Sequence, residues 1–194
     1  MQVLKHGDLV EMPWKNGGGI TRRIAKGKVA ENPAWTLSRA DVACDGPFSD
    51  FTGMMRVLTV VSGRGMTLDT PNGSLEAGLW QPTRFDGGWK IQSRLRDGPL
   101  TDLNLMFDPR FCEGDVLTRQ GPLQQDIAAP GHGVLAFHVL SGSPAINAVP
   151  LSTGDTAIVS DAGAEVRLAK GDALLELRVS YLDQSDAIRL CIAS

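Results

Sequence analysis

Ala173-Leu174-Leu175-Glu176-Leu177-Arg178-Val179-Ser180-Tyr181 alternates with period two. Ala173, Leu175, Leu177, Val179 and Tyr181 fall on one face, which the pattern turns inward; Glu176 and Arg178 fall on the other, which it turns to solvent. That is the signature of a half-solvated antiparallel strand. Residues 89–96 read the same way, with Trp89, Ile91, Ser93 and Leu95 on one face and Lys90, Gln92, Arg94 and Arg96 on the other. Residues 55–61 and 134–140 are nearly continuous apolar runs of strand length, as strands covered on both faces are. In 35–42 the apolar parity shifts between Leu37 and Ala40, which predicts a β-bulge near Ser38-Arg39. Pro71-Asn72-Gly73-Ser74 predicts a hairpin, because Asn-Gly readily supplies two positive φ angles. Helical periodicity is weak throughout, and 112–120 is the best candidate for a short helix.

Composition agrees with a strand-rich reading. The chain has 194 residues, 42% hydrophobic and 21% charged, enough to bury a core and too apolar for disorder. Its 22 Gly and 11 Pro favour many turns between short strands. A formal charge of −3 lacks the cationic footprint of a nucleic-acid binder. No apolar run approaches the ~18 residues of a membrane span, and the opening MQVLKHGDLVEMPW has no apolar core of signal-peptide length. Cys44, Cys112 and Cys191 are odd in number and form no Cys-x-x-Cys, which predicts reduced thiols and a cytoplasmic setting.

The chain echoes itself. Val60-Val61-Ser62-Gly63 resembles Val139-Leu140-Ser141-Gly142, and Leu75-Glu76-Ala77-Gly78 resembles Leu151-Ser152-Thr153-Gly154, in the same order and at nearly the same separation. This favours a duplicated β module, divided as residues 1–110 and 111–194. Two such modules suggest small β-barrels or jelly rolls sharing a core. Nine of the eleven aromatic residues lie at or before Phe111, which puts any apolar-walled ligand pocket in the first module.

Pro13-Trp14-Lys15-Asn16-Gly17-Gly18-Gly19-Ile20-Thr21 is the most distinctive segment. Three consecutive glycines imply unusual backbone angles or close backbone approach. No Gly-Lys-Ser/Thr follows and no G-x-G-x-x-G is present, so it is neither a P-loop nor a dinucleotide fingerprint. It reads either as a structural loop plugged by Trp14, or as a pocket wall where Lys15 and Asn16 offer donors.

At this segment the chain resembles the HutD/Ves family of bicupin proteins, whose hallmark is PWKNGGG-x-T. The likeness continues through Trp35-Thr36-Leu37-Ser38-Arg39-Ala40, Gly46-Pro47-Phe48-Ser49-x-Phe51, Gly53-x-x-Arg56, Phe85-Asp86-Gly87 and Gly98-Pro99-x-x-Asp102-Leu103-Asn104-Leu105-Met106. It covers about residues 10–110. The resemblance implies an all-β bicupin fold: two cupin-type jelly-roll barrels or sandwiches with little helix. It also implies a link to histidine utilisation, through binding of a small acidic metabolite such as formylglutamate or urocanate. Many relatives carry an acidic residue where this chain has Arg23, so no role resting on a carboxylate there transfers.

Arg56 leads the candidate site residues. It precedes the buried run 57–61, where a guanidinium must find a partner or a wet cavity. It suits two-pronged capture of a carboxylate, or a structural ion pair with Asp50 or Asp102. Period two places Asp102, Asn104 and Met106 on one strand face. That face meets either solvent or a barrel interior, where Asp102 could serve as a base. Trp14, Phe48, Phe51 and Phe85 are candidate apolar walls. His6, His132 and His138 form no His-x-His, so no metal cofactor is expected. No G-x-S-x-G occurs, and no Cys neighbours a His.

Together with the resemblance, these residues imply a ligand-binding protein of regulatory or accessory role, acting on a small anionic metabolite. A metal-independent isomerase or hydrolase with Asp102 as general base is the alternative. A protein-interaction module pairing by sheet edges into a homodimer is a third.

Overall fold

In the computed structural model, which describes residues 1–15, 17–159, 163–182 and 188–193, nearly every regular element is a strand. In chain order they are β1 (Gln2–Leu4), β2 (Glu11–Pro13), β3 (Gly19–Val29), β4 (Asn32–Val42), β5 (Gly46–Pro47), β6 (Met55–Ser62), β7 (Met66–Thr70), β8 (Gly73–Ala77), β9 (Thr83–Asp86) and β10 (Gln92–Leu95). There follow β11 (Leu100–Phe107), β12 (Cys112–Gln120), β13 (Leu123–Ile127), β14 (Gly133–Ser141), β15 (Ala145–Ile146), β16 (Val149–Pro150), β17 (Thr156–Val159), β18 (Ala164–Leu168), β19 (Ala173–Tyr181) and β20 (Ile188–Ile192). A single 3-10 turn, His6–Asp8, is the helical element among the described residues. No helix there is long and apolar enough to cross a membrane.

The strands group into two units. Val10–Phe111 together with β20 form the N-unit; Met1–Leu9 and the chain from Cys112 through β19 form the C-unit. The grouping thus crosses residue 110 at both chain ends, because β1 pairs with β17 and β20 pairs with β3.

Within the N-unit, one sheet runs β2-β3-β4-β11-β6-β9 and the other β5-β10-β7-β8. Ala40, Val42, Leu58 and Val60 of the first pack with Met66, Leu68 and Ala77 of the second. Within the C-unit, the sheets run β1-β17-β14-β19-β12 and β13-β18-β15-β16. Leu135, Phe137, Val139 and Leu174 pack there with Ile127, Ile146, Val166 and Leu168. Set aside β1, β2, β3 and β20, and the two units repeat one order strand for strand. β4-β11-β6-β9 corresponds to β12-β19-β14-β17, and β5-β10-β7-β8 to β13-β18-β15-β16.

Several local expectations change. Residues 112–120 form strand β12, not a helix. They pair with β19 from Cys112↔Tyr181 to Gln120↔Ala173, and burial alternates at Cys112, Gly114 and Val116. No bulge interrupts β4 at Ser38-Arg39: β4 pairs without a break with β11. The irregularity lies across from it in β3, between Arg23 and Ala25. The apolar parity shifts because β4 changes which of its faces is apolar. In the β7–β8 hairpin, Thr70 pairs with Gly73, so Pro71 and Asn72 hold the turn and Gly73 takes the positive φ of 116°. Trp89 and Lys90 precede β10 and do not join it. Glu176, expected in solvent, is 1% exposed.

Phe137 is fully buried in the C-unit cluster. Phe137→Ala is expected to cost about 3–5 kcal/mol in urea unfolding; a loss below about 1 kcal/mol would contradict this core assignment.

Candidate functional site

Cross-strand register assembles the site. Residues directly opposite one another share a face, and three such rows cross the larger N-unit sheet. Thr36, Met106, Arg56 and Phe85 form one row. Ser38, Asn104 and Leu58 form the next, and Thr21, Ala40, Asp102 and Val60 the third. Arg56, Asp102, Asn104 and Met106 therefore converge on one cavity of about 550 Å³, which Phe48, Phe51 and Trp14 also wall.

The loop after β2 supplies one wall. Trp14 N–H donates to the Gly19 carbonyl (2.9 Å), Gly17 N–H donates to the Trp14 carbonyl (3.0 Å), and the indole Nε1 donates to Thr21 Oγ1 (2.7 Å). The glycine run has a local cause. Gly17 takes a φ of 71°, a region that favours glycine. A Cβ on Gly19 would lie 2.5 Å from the Asp41 carbonyl oxygen and 3.0 Å from the Trp14 ring.

Arg56 is 6% exposed and boxed by aromatic rings. Its guanidinium carbon lies 4.7 Å from the Phe48 ring centre, 5.1 Å from Phe85 and 5.4 Å from Phe51. Such contacts favour a desolvated cation but satisfy none of its N–H groups. Its Nε is buried with no hydrogen-bond partner among the described residues. Neither carboxylate anticipated as a structural partner forms an ion pair with it among the described residues. Asp50 is instead held by the N–H (2.8 Å) and hydroxyl (2.7 Å) of Thr52. Burial lowers the Arg56 pKa to about 10, with the Asp102 charge opposing, so the group stays cationic at neutral pH.

Asp102 is 3% exposed, and among the described residues neither its Oδ1 nor the Oδ1 of Asn104 has a partner. Burial pushes the Asp102 pKa up to about 7; Arg56 opposes the rise and Asp41 adds to it. A buried cation, a carboxyl group near its titration point and an amide thus converge, each with an unmatched polar atom. Buried polar atoms are rarely left so, and the arrangement can take up an anion carrying hydrogen-bonding groups.

Phe85 stands apart from the other candidates: it supports the guanidinium without lining the cavity. Lys15 is exposed at the rim. Asn16 lies outside the described residues. Arg23 is exposed and does not line the cavity. Thr21 and Ser38 line it without having been singled out, since only the β3–β4–β11 register brings them there. His138, in the C-unit, bonds through Nδ1 to Thr156 Oγ1 (2.9 Å).

Comparison with known proteins bears on this geometry. A family model described as HutD matches residues 6–175. Over 121 residues the chain is 36% identical to an uncharacterized 21.2 kDa protein in the hutC 3′ region of Pseudomonas putida, which covers 57% of this chain and 60% of that one. The structure superposes on that of HutD from Pseudomonas fluorescens SBW25 with a TM-score of 0.82 at 29% identity, over 94% of this chain and 99% of that one. A cupin 2 conserved barrel domain protein from Leptotrichia buccalis superposes at a TM-score of 0.57 and 13% identity, over 87% and 92% of the two chains, which marks the fold as cupin-like.

The raised Asp102 pKa sets a stability signature. Relative to the ordinary value of 3.8, the folded state holds a proton that the unfolded chain releases. Stability is therefore full below about pH 4 and falls as pH rises towards about 7. Asp102→Asn removes that loss. The variant is expected to melt above the parent at pH 8, by on the order of 5 °C, with the gap closing towards pH 5. A gap independent of pH would contradict the assignment.

Proposed function

The chain belongs to the HutD family, and we propose that its N-unit cavity is a receptor for a small carboxylate whose negative end meets Arg56. The observation that carries this reading is the buried, ring-boxed guanidinium whose Nε has no partner. An arginine supplies parallel N–H donors that match a carboxylate. A ligand oxygen would satisfy the orphaned donor where water reaches poorly. Asp102 as a neutral acid would donate to the same ligand, and the aromatic walls would cover its apolar part. The cavity volume falls in the range of small-molecule sites.

The repeated strand order supports reading both units as jelly rolls, the bicupin arrangement. The Pseudomonas putida relative is described by its place beside hutC. That supports an accessory or regulatory role in histidine utilisation, with formylglutamate and urocanate as the acids to test first.

Asp102 near its titration point also supports a second reading, an acid–base catalyst acting on the bound acid. Turnover of a tested acid would mark it. Asp102→Asn would then lose about 10²–10⁴-fold in rate while keeping affinity.

Calorimetric titration tests the receptor. Ligand at a hundred times its Kd should stabilise the fold by about 2.7 kcal/mol, and Arg56→Met should abolish binding while leaving the far-ultraviolet spectrum unchanged. Unchanged affinity in Arg56→Met would remove the guanidinium from the site. Binding is also expected to weaken by about tenfold from pH 6 to pH 8, because ionised Asp102 cancels the positive charge that attracts the ligand. Affinity that is flat or rising over that range would contradict the proposed protonation.

A further inference from the structure

The C-unit repeats the strand order of the N-unit, so each position facing the N-unit cavity has a counterpart. The Ser-Gly at the end of β6 (Ser62-Gly63) and of β14 (Ser141-Gly142) fixes the correspondence: Val60 matches Val139, Leu58 matches Phe137 and Arg56 matches Leu135. Register carries it across the sheets. Leu58 lies opposite Asn104, and Phe137 opposite Glu176. Arg56 lies opposite Met106, and Leu135 opposite Arg178. Val60, Asp102 and Ala40 share a row, as do Val139, Leu174 and Arg119. Glu176 therefore stands where the N-unit has Asn104, with Arg178 in the place of Met106 and Arg119 in that of Ala40.

The chemistry is inverted in a definite way. The arginine position of the N-unit is the apolar Leu135 in the C-unit, and two arginines arrive from flanking positions. Glu176 is 1% exposed; its Oε1 accepts from Arg178 Nε at 2.6 Å and its Oε2 from Arg119 Nε at 2.9 Å. Each arginine side chain is about one third exposed. An isolated charge does not enter a core of Phe137 and Leu174 unless paired. Here one carboxylate, fully buried, is gripped at both oxygens on the inner face of the sheet. In the N-unit, Arg56 forms no ion pair among the described residues and feels Asp102 through its charge alone.

We infer that Glu176 is the built-in occupant of the C-unit's carboxylate site, so that the chain carries one open site and one closed by its own side chain. The inference rests on the carboxylate reading of the N-unit for its meaning, but its chemistry stands on Glu176, Arg119 and Arg178 alone. Removing the side chain beyond Cβ takes away the equivalent of an acetate ion. The vacated site should then accept a free acetate between the two guanidinium groups.

The test uses the full chain carrying Arg56→Met, which silences the N-unit cavity, with Glu176→Ala added. Sodium acetate is compared with sodium chloride at equal ionic strength. Acetate at about ten times its Kd is expected to raise the melting temperature of the double variant by about 3–6 °C beyond chloride. It should do nothing comparable for Arg56→Met alone or for Arg56→Met with Glu176→Leu, in which the space is filled. If the double variant is insoluble, refolding yield is the readout, and recovery in acetate but not in chloride supports the inference. An equal response to both salts, or no recovery in either, overturns it. So would a second carboxylate bound per parent chain and lost on Arg178→Met. The acetate comparisons all carry Arg56→Met, so failure of the receptor reading is seen separately, as unchanged affinity in Arg56→Met alone.

Discussion

A guanidinium that forms no ion pair among the described residues, buried behind three phenyl rings, is the constraint around which the N-unit is arranged. Taking a cation out of water costs several kcal/mol unless something replaces the lost hydration. The rings of Phe48, Phe51 and Phe85 replace part of it through their negative faces. They cannot accept the in-plane N–H bonds. Asp102 acts on Arg56 through its charge and forms no ion pair with it, and its own carboxyl is held near neutrality by burial. The balance leaves a site with unspent hydrogen-bonding capacity of both signs: donors on Arg56, acceptors on Asp102 and Asn104.

The duplicated strand order explains how such a site could be built and also left unused. Both units expose the same inner-face positions on corresponding strands. In one, the arginine projects from β6 and forms no ion pair among the described residues, feeling Asp102 only through its charge; in the other, two arginines close on Glu176. The same architecture thus carries a polar cavity in one unit and, in the other, a buried carboxylate held by two arginines.

Much of the fold was legible in the sequence because strand periodicity is local. The alternation at 173–181 marks β19 to the residue, and the Ser-Gly echoes mark the repeat. What failed depended on partners far away in sequence. Glu176 looked solvent-bound because a carboxylate beside Arg178 on the same face reads as a solvated pair, while Arg119 lies on another strand. Residues 112–120 looked helical because nine residues say little until β19 is placed beside them. The exchanged chain ends were invisible, since β1 and β20 are short and pair with distant strands. For the candidate site, the polar residues spaced by two in β11 and the arginine opening β6 stood out against apolar surroundings. Ser38 and Thr21 did not, because ordinary hydroxyl residues acquire a place in a cavity only through register.

The account turns on whether Arg56 awaits an outside anion. The most direct measurement is a crystal structure of the protein grown with a saturating small carboxylate. The account predicts a ligand oxygen within hydrogen-bonding distance of Arg56 Nε, with Asp102 and Asn104 turned to the same molecule. A structure in which Arg56 Nε instead bonds Asp102 or another protein oxygen, with no carboxylate in the cavity, would contradict it.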